Sequence, residues 1–380
     1  MIWLAAVPAL AAAAYYLLVL VAAAQWGRRF RLPTPAPTLP PISILKPIRG
    51  RDARFYEAIR SHALQDYPEF EILFGFSDPQ DAAIADVAQL KAEFPHLSIS
   101  THLVATHAPN TKVGVLAELA SHARHPLLLV NDSDILVEPG YLRDIAAPLA
   151  DPTVGMVTCL YRGSAKSLPG RAEALGIATE FAPSVLVARL LGVAEFALGS
   201  TMVFRAADLR AIGGFEAIAE YVADDYQLGA RITALGRRVE FSPVVVETDL
   251  GGESWLETWR HQLRWSRTIR VSRPSGYYGY VVTHATLWSL VALAFGQWWA
   301  AAVALAIRLV AGIAVAGGIL GYRRISSDWW MIPFRDLFGF AVWLAGLTGS
   351  DVHWRGRRLT LRPDGRLQPE PAAAQRAAHG

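Results

Sequence analysis

Residues 2–24, IWLAAVPALAAAAYYLLVLVAAA, hold no charged side chain, and a helix needs only about 20 apolar residues to cross a bilayer core. Residues 279–322 form a second such block, with Arg308 and His284 as its basic groups and no acid, long enough for two further crossings. A third block, 331–350, is interrupted by Arg335 and Asp336. Between Arg28 and Arg273 the chain has the mixed charge of a folded, water-exposed domain. The 53% share of hydrophobic residues is thus unevenly spread, and fits a domain held at a membrane better than an ordinary soluble protein. The first block exceeds the roughly 7–15-residue core of a signal peptide, and no basic residue precedes it, so it reads as an anchor. Arg28, Arg29 and Arg31 follow it, which by the positive-inside rule puts that end, and the domain after it, in the cytoplasm. Three crossings satisfy the same rule for Arg323, Arg324 and the basic tail; a fourth at 331–350 stays open if Arg335 and Asp336 face protein.

These features give an expected plan: an anchor over 1–25, a Pro-rich linker over 26–40 and a cytoplasmic domain over 41–275. A transmembrane hairpin over 276–322 follows, then an interfacial, re-entrant or transmembrane segment over 323–350 and a basic tail over 351–380 with a disordered end. LPTPAPTLPP (32–41) is a stiff spacer. Strand-like and helix-like segments then alternate: ISIL (42–45), FEILFGFS (70–77), LSISTHLV (97–104) and PLLLVN (126–131) each precede a helical stretch, and GMVTCLY (155–161) closes the set. That alternation predicts an α/β domain with a right-handed, parallel βαβ sheet. Further on, 171–192 is an unusually apolar helical stretch, 196–205 reads as a strand, and a helix begins near Asp224–Asp225 and ends at Gly236. The single cysteine, Cys159, excludes an intramolecular disulfide. The net charge of +3 is concentrated in WRGRRLTLRPDGR (354–366), which suits anionic lipid surfaces better than nucleic acid.

The chemistry-bearing residues sit at strand ends. In PLLLVNDSDI (126–135) a buried-strand pattern runs into Asp132 and Asp134, at the edge of an open α/β sheet where ligands collect. Two such carboxylates, with substrate phosphates, can hold a hard divalent cation, and the bland alternative is an Asx-rich turn. Asp78 in FSDPQD is either a turn-former or a contact to the base or ribose of a nucleotide. Lys46 and Lys112 fall in loops after strands; each is a solvated charge or a compact cation for phosphate. Asp225 in ADDY is either a helix-terminal acid or a general base tuned by its neighbour. In HQLRWSRTIR (261–270), Arg264, Arg267 and Arg270 make a stripe that fits a snorkelling membrane interface or, as the Arg264–Trp265 pair, a site for a diphosphate and a ring.

Together, ISILKPIRGRD, FSDPQD, NTK, NDSDI, GSTMVFR, GGF, ADDY and LRWSRTIR occur in an order and spacing that resembles the ceramide glucosyltransferase family, glycosyltransferase family 21. The bacterial hopanoid-linked glycosyltransferases look most similar. The resemblance covers residues 41–275 and, more loosely, the later apolar segments to WRGRR. It implies a GT-A type nucleotide-sugar-binding domain with a mixed, mostly parallel sheet, plus transmembrane helices. It also implies an inverting transfer of one sugar from a UDP-sugar to a hydroxyl of a membrane lipid, at a bacterial inner membrane. By motif, Asp78 matches the nucleotide aspartate, Asp132 and Asp134 the DXD pair for Mg²⁺ or Mn²⁺ and diphosphate, and Asp225 the catalytic base. Lys46 and Lys112 would join the UDP-sugar site, and Arg264 and Trp265 match the last two positions of a Gln/Arg-x-x-Arg-Trp pattern. His261 departs from it, standing where Gln or Arg is expected. Other classes stay open: a processive polysaccharide synthase, which would need more spans; a polyprenyl-phosphate glycosyltransferase; and a non-catalytic membrane protein that binds nucleotide-sugar or lipid. The sugar (glucose, N-acetylglucosamine or galactose), the lipid (ceramide, hopanoid or diacylglycerol) and the oligomeric state also stay open.

Overall fold

The computed structural model describes residues 2–29, 39–251, 254–354 and 357–369; most of the expected Pro-rich linker and the expected disordered end lie outside them. The chain forms two compact units, one of residues 34–160, 194–249 and 353–380 and the other of 1–33, 161–193 and 250–352. Within the expected 41–275 domain, residues 161–193 and 250–275 group with the apolar segments.

The first unit is built on an eight-stranded sheet. Its strands are β1 (Ile42–Ile48), β2 (Phe70–Phe76), β3 (Ser98–Leu103), β4 (Leu127–Val130), β5 (Ile135–Leu136), β6 (Val154–Ser164), β7 (Met202–Arg205) and β8 (Arg238–Asp249), in the spatial order β3-β2-β1-β4-β7-β6-β8-β5. β3, β2, β1 and β4 run parallel, and β7 lies antiparallel between β4 and β6. GMVTCLY thus joins the sheet through β7 instead of extending the parallel set. β4 is buried along its whole length, as its continuous apolar sequence requires with cover on both faces. The order reverses between β1 and β4, and this switch point is where an open α/β sheet binds ligands.

The segment expected to be only a basic tail folds instead: β9 (Asp351–Trp354), β10 (Arg357–Leu361) and β11 (Leu367–Pro369) make a second sheet. Leu359, Leu361 and Leu367 are buried, and the Leu367 N–H donates to the Glu220 carbonyl at 2.6 Å. Alternating apolar residues in RLTL and a turn at PDG explain it.

The second unit is helical. Two helices, Trp3–Arg28 and Trp298–Ile319, are long and apolar enough to cross a membrane by length and composition. The expected hairpin is uneven, since the Ala285–Ala294 helix, at about 1.5 Å per residue, spans only about half a bilayer core. Ala6, Ala9 and Ala13 pack against Ala292, Ala300, Ala301 and Ala304, a small-residue seam that lets helix backbones approach. Trp3, Leu17, Trp298, Val310 and Trp330 are exposed, whereas Arg308 and Asp336 are buried and joined at 2.6 Å. The stretch 171–192 is helical, interrupted by a π-helical turn at Ile177–Phe181.

Candidate active site

At the switch point, Asn131 follows β4 and is fully buried. Its Nδ2 donates to the Ser200 carbonyl at 2.7 Å and to Tyr141 Oη at 2.9 Å, which pins the loop after β4 to the turn before β7. Asp132 follows, half-exposed. Lys112, in the first turn of the Thr111–His122 helix, places its Nζ 2.8 Å from Asp132 Oδ1 and 3.0 Å from Asp224 Oδ2. That helix starts here because Asn110 caps it, its Oδ1 accepting the Val113 N–H at 3.3 Å.

Asp225 stands in the first turn of the Asp224–Ala234 helix. Its Oδ1 accepts the Tyr226 N–H at 2.7 Å and its Oδ2 the Gly199 N–H at 3.0 Å. Residues 198–201 form a tight turn closed by a Leu198–Thr201 bridge, so the strand expected over 196–205 begins only at Met202. That turn carries Gly199 between the carboxylates. A Cβ on Gly199 would lie 3.5 Å from Asp132 Oδ2, 3.5 Å from Asp225 Oδ2 and 3.8 Å from Lys112 Nζ. Glycine leaves this space to be shared by three charged groups from three separate elements.

Asp134 is held by β8, a strand with no counterpart among the expected elements. Ile135 pairs with Thr248, and the Thr248 hydroxyl donates to Asp134 Oδ2. Lys46 lies within β1, not in a loop after it, and is fully buried, its Nζ donating to the Asp132 carbonyl at 3.1 Å. Burial pushes its ammonium down to about 7. It therefore braces the loop from below. Asp78 lies exposed past the end of β2, accepting the Gln80 N–H at 2.8 Å, as a turn-former does.

The charges shape one another. Burial, with Asp224 beside it, raises Asp225 to about 6, while Lys112 works the other way. Burial and the neighbouring Asp132 raise Asp134 to about 6. Burial opposes the charge of Lys112, but Asp132 and Asp224 outweigh it and hold the ammonium well above its ordinary value. No group of three or more His, Cys, Asp or Glu able to hold a metal occurs among the described residues. Asp132 and Asp134 are a pair of neighbouring, mutually repelling carboxylates, fewer than the ligands a hard cation takes.

Arg264 and Trp265 belong to the helical unit, on the Trp255–Ser272 helix. The Trp265 ring lies 4.4 Å from that of His261, whose Nδ1 is 2.6 Å from Glu173 Oε1. The stripe is partly a helix clamp: Arg267 Nε donates to the Thr348 carbonyl at 3.2 Å and Arg270 Nη2 to the Gly349 carbonyl at 2.5 Å, just past the Ile332–Gly346 helix. The residues that sequence reasoning missed are Gly199 and Thr248, which carry no chemistry of their own and become visible only as neighbours of carboxylates.

Ceramide glucosyltransferase 1 of Caenorhabditis elegans is 32% identical over 213 residues, 55% of this chain and 45% of that protein. A ceramide glucosyltransferase of Komagataella phaffii is 30% identical over 123 residues, 31% of this chain and 24% of that protein. The chain thus spans less than half the length of these relatives. Among solved structures, the mannosyltransferase PcManGT from Pyrobaculum calidifontis, in complex with GDP-Man and Mn²⁺, aligns with a TM-score of 0.53 at 18% identity, over 90% of this chain and 99% of that one. That likeness is one of fold, and it makes the sheet unit a GT-A type domain. The family model of glycosyl transferase family 21 matches residues 1–367, and the chain belongs to that family.

Proposed function

We propose that the chain is a membrane-bound, inverting glycosyltransferase that moves one sugar from a UDP-sugar to a hydroxyl of a membrane lipid of ceramide or hopanoid type. The observation that carries this reading is the arrangement of Asp132, Lys112 and Asp225 around Gly199 at the sheet's switch point, with Asp224 paired to Lys112. The name of the matched relatives supports glucose and ceramide as the first substrates to test.

Asp225 serves as general base. Its two oxygens are oriented by the Tyr226 and Gly199 N–H groups, and a carboxyl raised to about 6 is ionised at neutral pH yet basic enough to take a proton. The acceptor hydroxyl passes its proton to Asp225 as its oxygen attacks the anomeric carbon. The bond from that carbon to the diphosphate breaks on the opposite face, and UDP leaves with the electron pair. Asp132 and Asp134 would hold Mg²⁺ or Mn²⁺, which would supply positive charge against the departing diphosphate. Lys112 keeps the acids of the site from repelling one another and offers a compact cation to phosphate. Asp78 meets the nucleoside, and Lys46 holds the Asp132 loop. Arg264 and Trp265 enter through the LRW motif, with Arg264 assisting the leaving group, where charge develops.

The helical unit supports the membrane part of the reading. It buries an ion pair and exposes tryptophan and leucine, which inverts the usual soluble arrangement. The basic residues after the first span favour a cytoplasmic catalytic unit. The test is a matched assay of the full chain in lipid nanodiscs. UDP-glucose, UDP-N-acetylglucosamine and UDP-galactose are each offered to ceramide, hydroxylated hopanoid and diacylglycerol, with Mg²⁺, Mn²⁺ or chelator. One sugar added to one lipid class, with metal, upholds the reading; polymer formed without lipid overturns it in favour of a synthase.

A further inference from the structure

The hairpin of β10 and β11 docks on the stretch of chain that leads into Asp225, within the same unit. Its turn is closed by the Arg362 N–H on the Arg366 carbonyl and the Gly365 N–H on the Arg362 carbonyl, both at 2.9 Å. Gly365 stands in the left-handed region, at φ 81°, as such a turn requires. The Gly365 carbonyl and the Leu367 N–H are spent outside the hairpin. The first accepts the Val222 N–H at 3.3 Å, and the second donates to the Glu220 carbonyl at 2.6 Å. Between these bonds Tyr221 pairs with Arg366 as an antiparallel bridge. Residues 220–222 thus lie along the hairpin as a short added strand.

Asn110 takes the other side of that strand. Its N–H donates to the Ala219 carbonyl at 3.0 Å and its Nδ2 to the Tyr221 carbonyl at 2.8 Å. The carbonyls of 219, 220 and 221 go in turn to Asn110, the hairpin and Asn110, the alternation of an extended segment with a partner on each side. Asn110 is fully buried and caps the helix whose first turn carries Lys112, and Lys112 reaches Asp224. Side chains repeat the link. Arg366 Cζ lies 5.5 Å from the centre of the Tyr221 ring, and its Nη1 is 3.3 Å from Glu220 Oε2. Arg231, on the Asp224–Ala234 helix, lies 5.9 Å from the same ring. Burial of Leu359, Leu361 and Leu367 would hold the hairpin in place without any register. The backbone bonds add a register, and they set it on the residues immediately before the acid pair.

We propose that the 357–369 hairpin is a positioning element for catalysis: it holds residues 220–222 in register against Asn110 and so fixes the start of the helix that carries Asp225, with Tyr221 and Arg366 as positioning residues. The inference rests on the transferase reading with Asp225 as its base. A reacting carboxylate misplaced by about 1 Å costs about 100-fold in rate, and a stretch of chain without such ties opens easily. The donor side is spared, because Asp132 and Lys112 stand on other elements and hold each other at 2.8 Å.

Two variants of the full chain in ceramide nanodiscs test this. Leu367→Pro deletes the N–H given to Glu220, and Arg366→Met deletes the guanidinium over Tyr221 while keeping its stem. Arg366 is half-exposed, so Arg366→Met should melt within about 2 °C of wild type. It decides the matter where Leu367→Pro does not fold. With UDP-glucose, kcat should fall at least tenfold in Leu367→Pro and at least threefold in Arg366→Met, with donor KM within twofold in both. A loosened helix start also admits water to Asp225, whose carboxyl burial and Asp224 hold up at about 6. The charges that face it, Asp224, Lys112 and Asp132, are untouched by either substitution. The acid limb of the pH–rate profile should therefore move to lower pH. A limb that stays where wild type has it, whatever the melting temperature, makes the hairpin merely structural and overturns the inference, leaving the transferase reading intact. Absence of turnover by wild type with every acceptor overturns that reading instead. The hairpin is then judged by hydrogen exchange on the same variants. Faster exchange at the Gly199 and Tyr226 amides, which Asp225 accepts, with β1 and β4 unchanged, supports the inference, and unchanged exchange at both amides overturns it.

Discussion

The Gly199 N–H donates to Asp225 Oδ2 at 3.0 Å, and a Cβ on the same glycine would lie 3.5 Å from both Asp225 Oδ2 and Asp132 Oδ2. In the proposed reaction a donor sugar and an acceptor oxygen meet beside these two carboxylates. Backbone orientation of a carboxylate and room beside it are supplied by one residue.

Gly199→Ala is accordingly expected to fold and fail. Its Cβ would meet Asp132 and Asp225 at 3.5 Å, an ordinary contact, so melting should stay within about 2 °C of wild type. The methyl group occupies the shared space, and kcat/KM should fall by about 100-fold, as for a small misplacement at reacting atoms. Melting and steady-state transfer on the same preparation check this; full activity in the alanine variant would contradict it.

Asp225→Asn separates catalysis from stability. Loss of the base should lower kcat by about 10²–10⁴-fold with donor affinity little changed. The carboxyl is raised from 3.8 to about 6 by burial and Asp224, so its contribution to stability is full below about pH 4 and is lost as pH rises through about 6. At pH 7.5 the asparagine variant should therefore melt higher than wild type when both are metal-free. With Asp225 as the proposed base, the ionised form is the active one in wild type, so kcat/KM should fall tenfold per pH unit below about 6 and level off above it.

Lys112→Met removes the cation shared by Asp132 and Asp224. The variant should lose about 1–3 kcal/mol, less than a fully buried pair would, because Asp132 is 43% exposed. Lys112 also holds Asp225 down, so the acid limb of the pH–rate profile should move to higher pH. A pH series on the variant reads this directly, and an unmoved limb would contradict it.

In the helical unit, Asp336→Asn leaves Arg308 buried without its counter-charge and should cost about 3–5 kcal/mol. The double variant Arg308→Met/Asp336→Leu should recover most of that, since it removes both charges. Thermal unfolding in nanodiscs measures both; a tolerated Asp336→Asn would mean that Arg308 reaches water.

The parts legible in the sequence were those with local signals. Continuous apolar runs marked β1, β2 and β4, and carboxylates at strand and helix ends marked Asp132, Asp134 and Asp225. β8 escaped because RVEFSPVVVETD carries a central Pro243 and no clean alternation, and its value lies in one distant partner, Thr248 to Asp134. Lys46 follows the expected strand ISIL (42–45) and so reads as a loop cation, but β1 runs on to Ile48 and a carbonyl receives the ammonium. Arg267 and Arg270 looked like an interfacial stripe, whereas carbonyls past a helix end, 81 and 79 residues away in sequence, take their hydrogen bonds. Pairings of that kind are set by the tertiary fold and leave no mark at either position alone.

The most direct test follows radiolabel from UDP-glucose into the organic phase, using full-chain protein in nanodiscs containing ceramide, before and after chelation and after Mn²⁺ is restored. The expected result is a singly glycosylated lipid of inverted anomeric configuration that disappears with chelator, returns with Mn²⁺ and is absent for Asp225→Asn. A lipid product of retained configuration, or one formed equally by Asp225→Asn, would contradict the account.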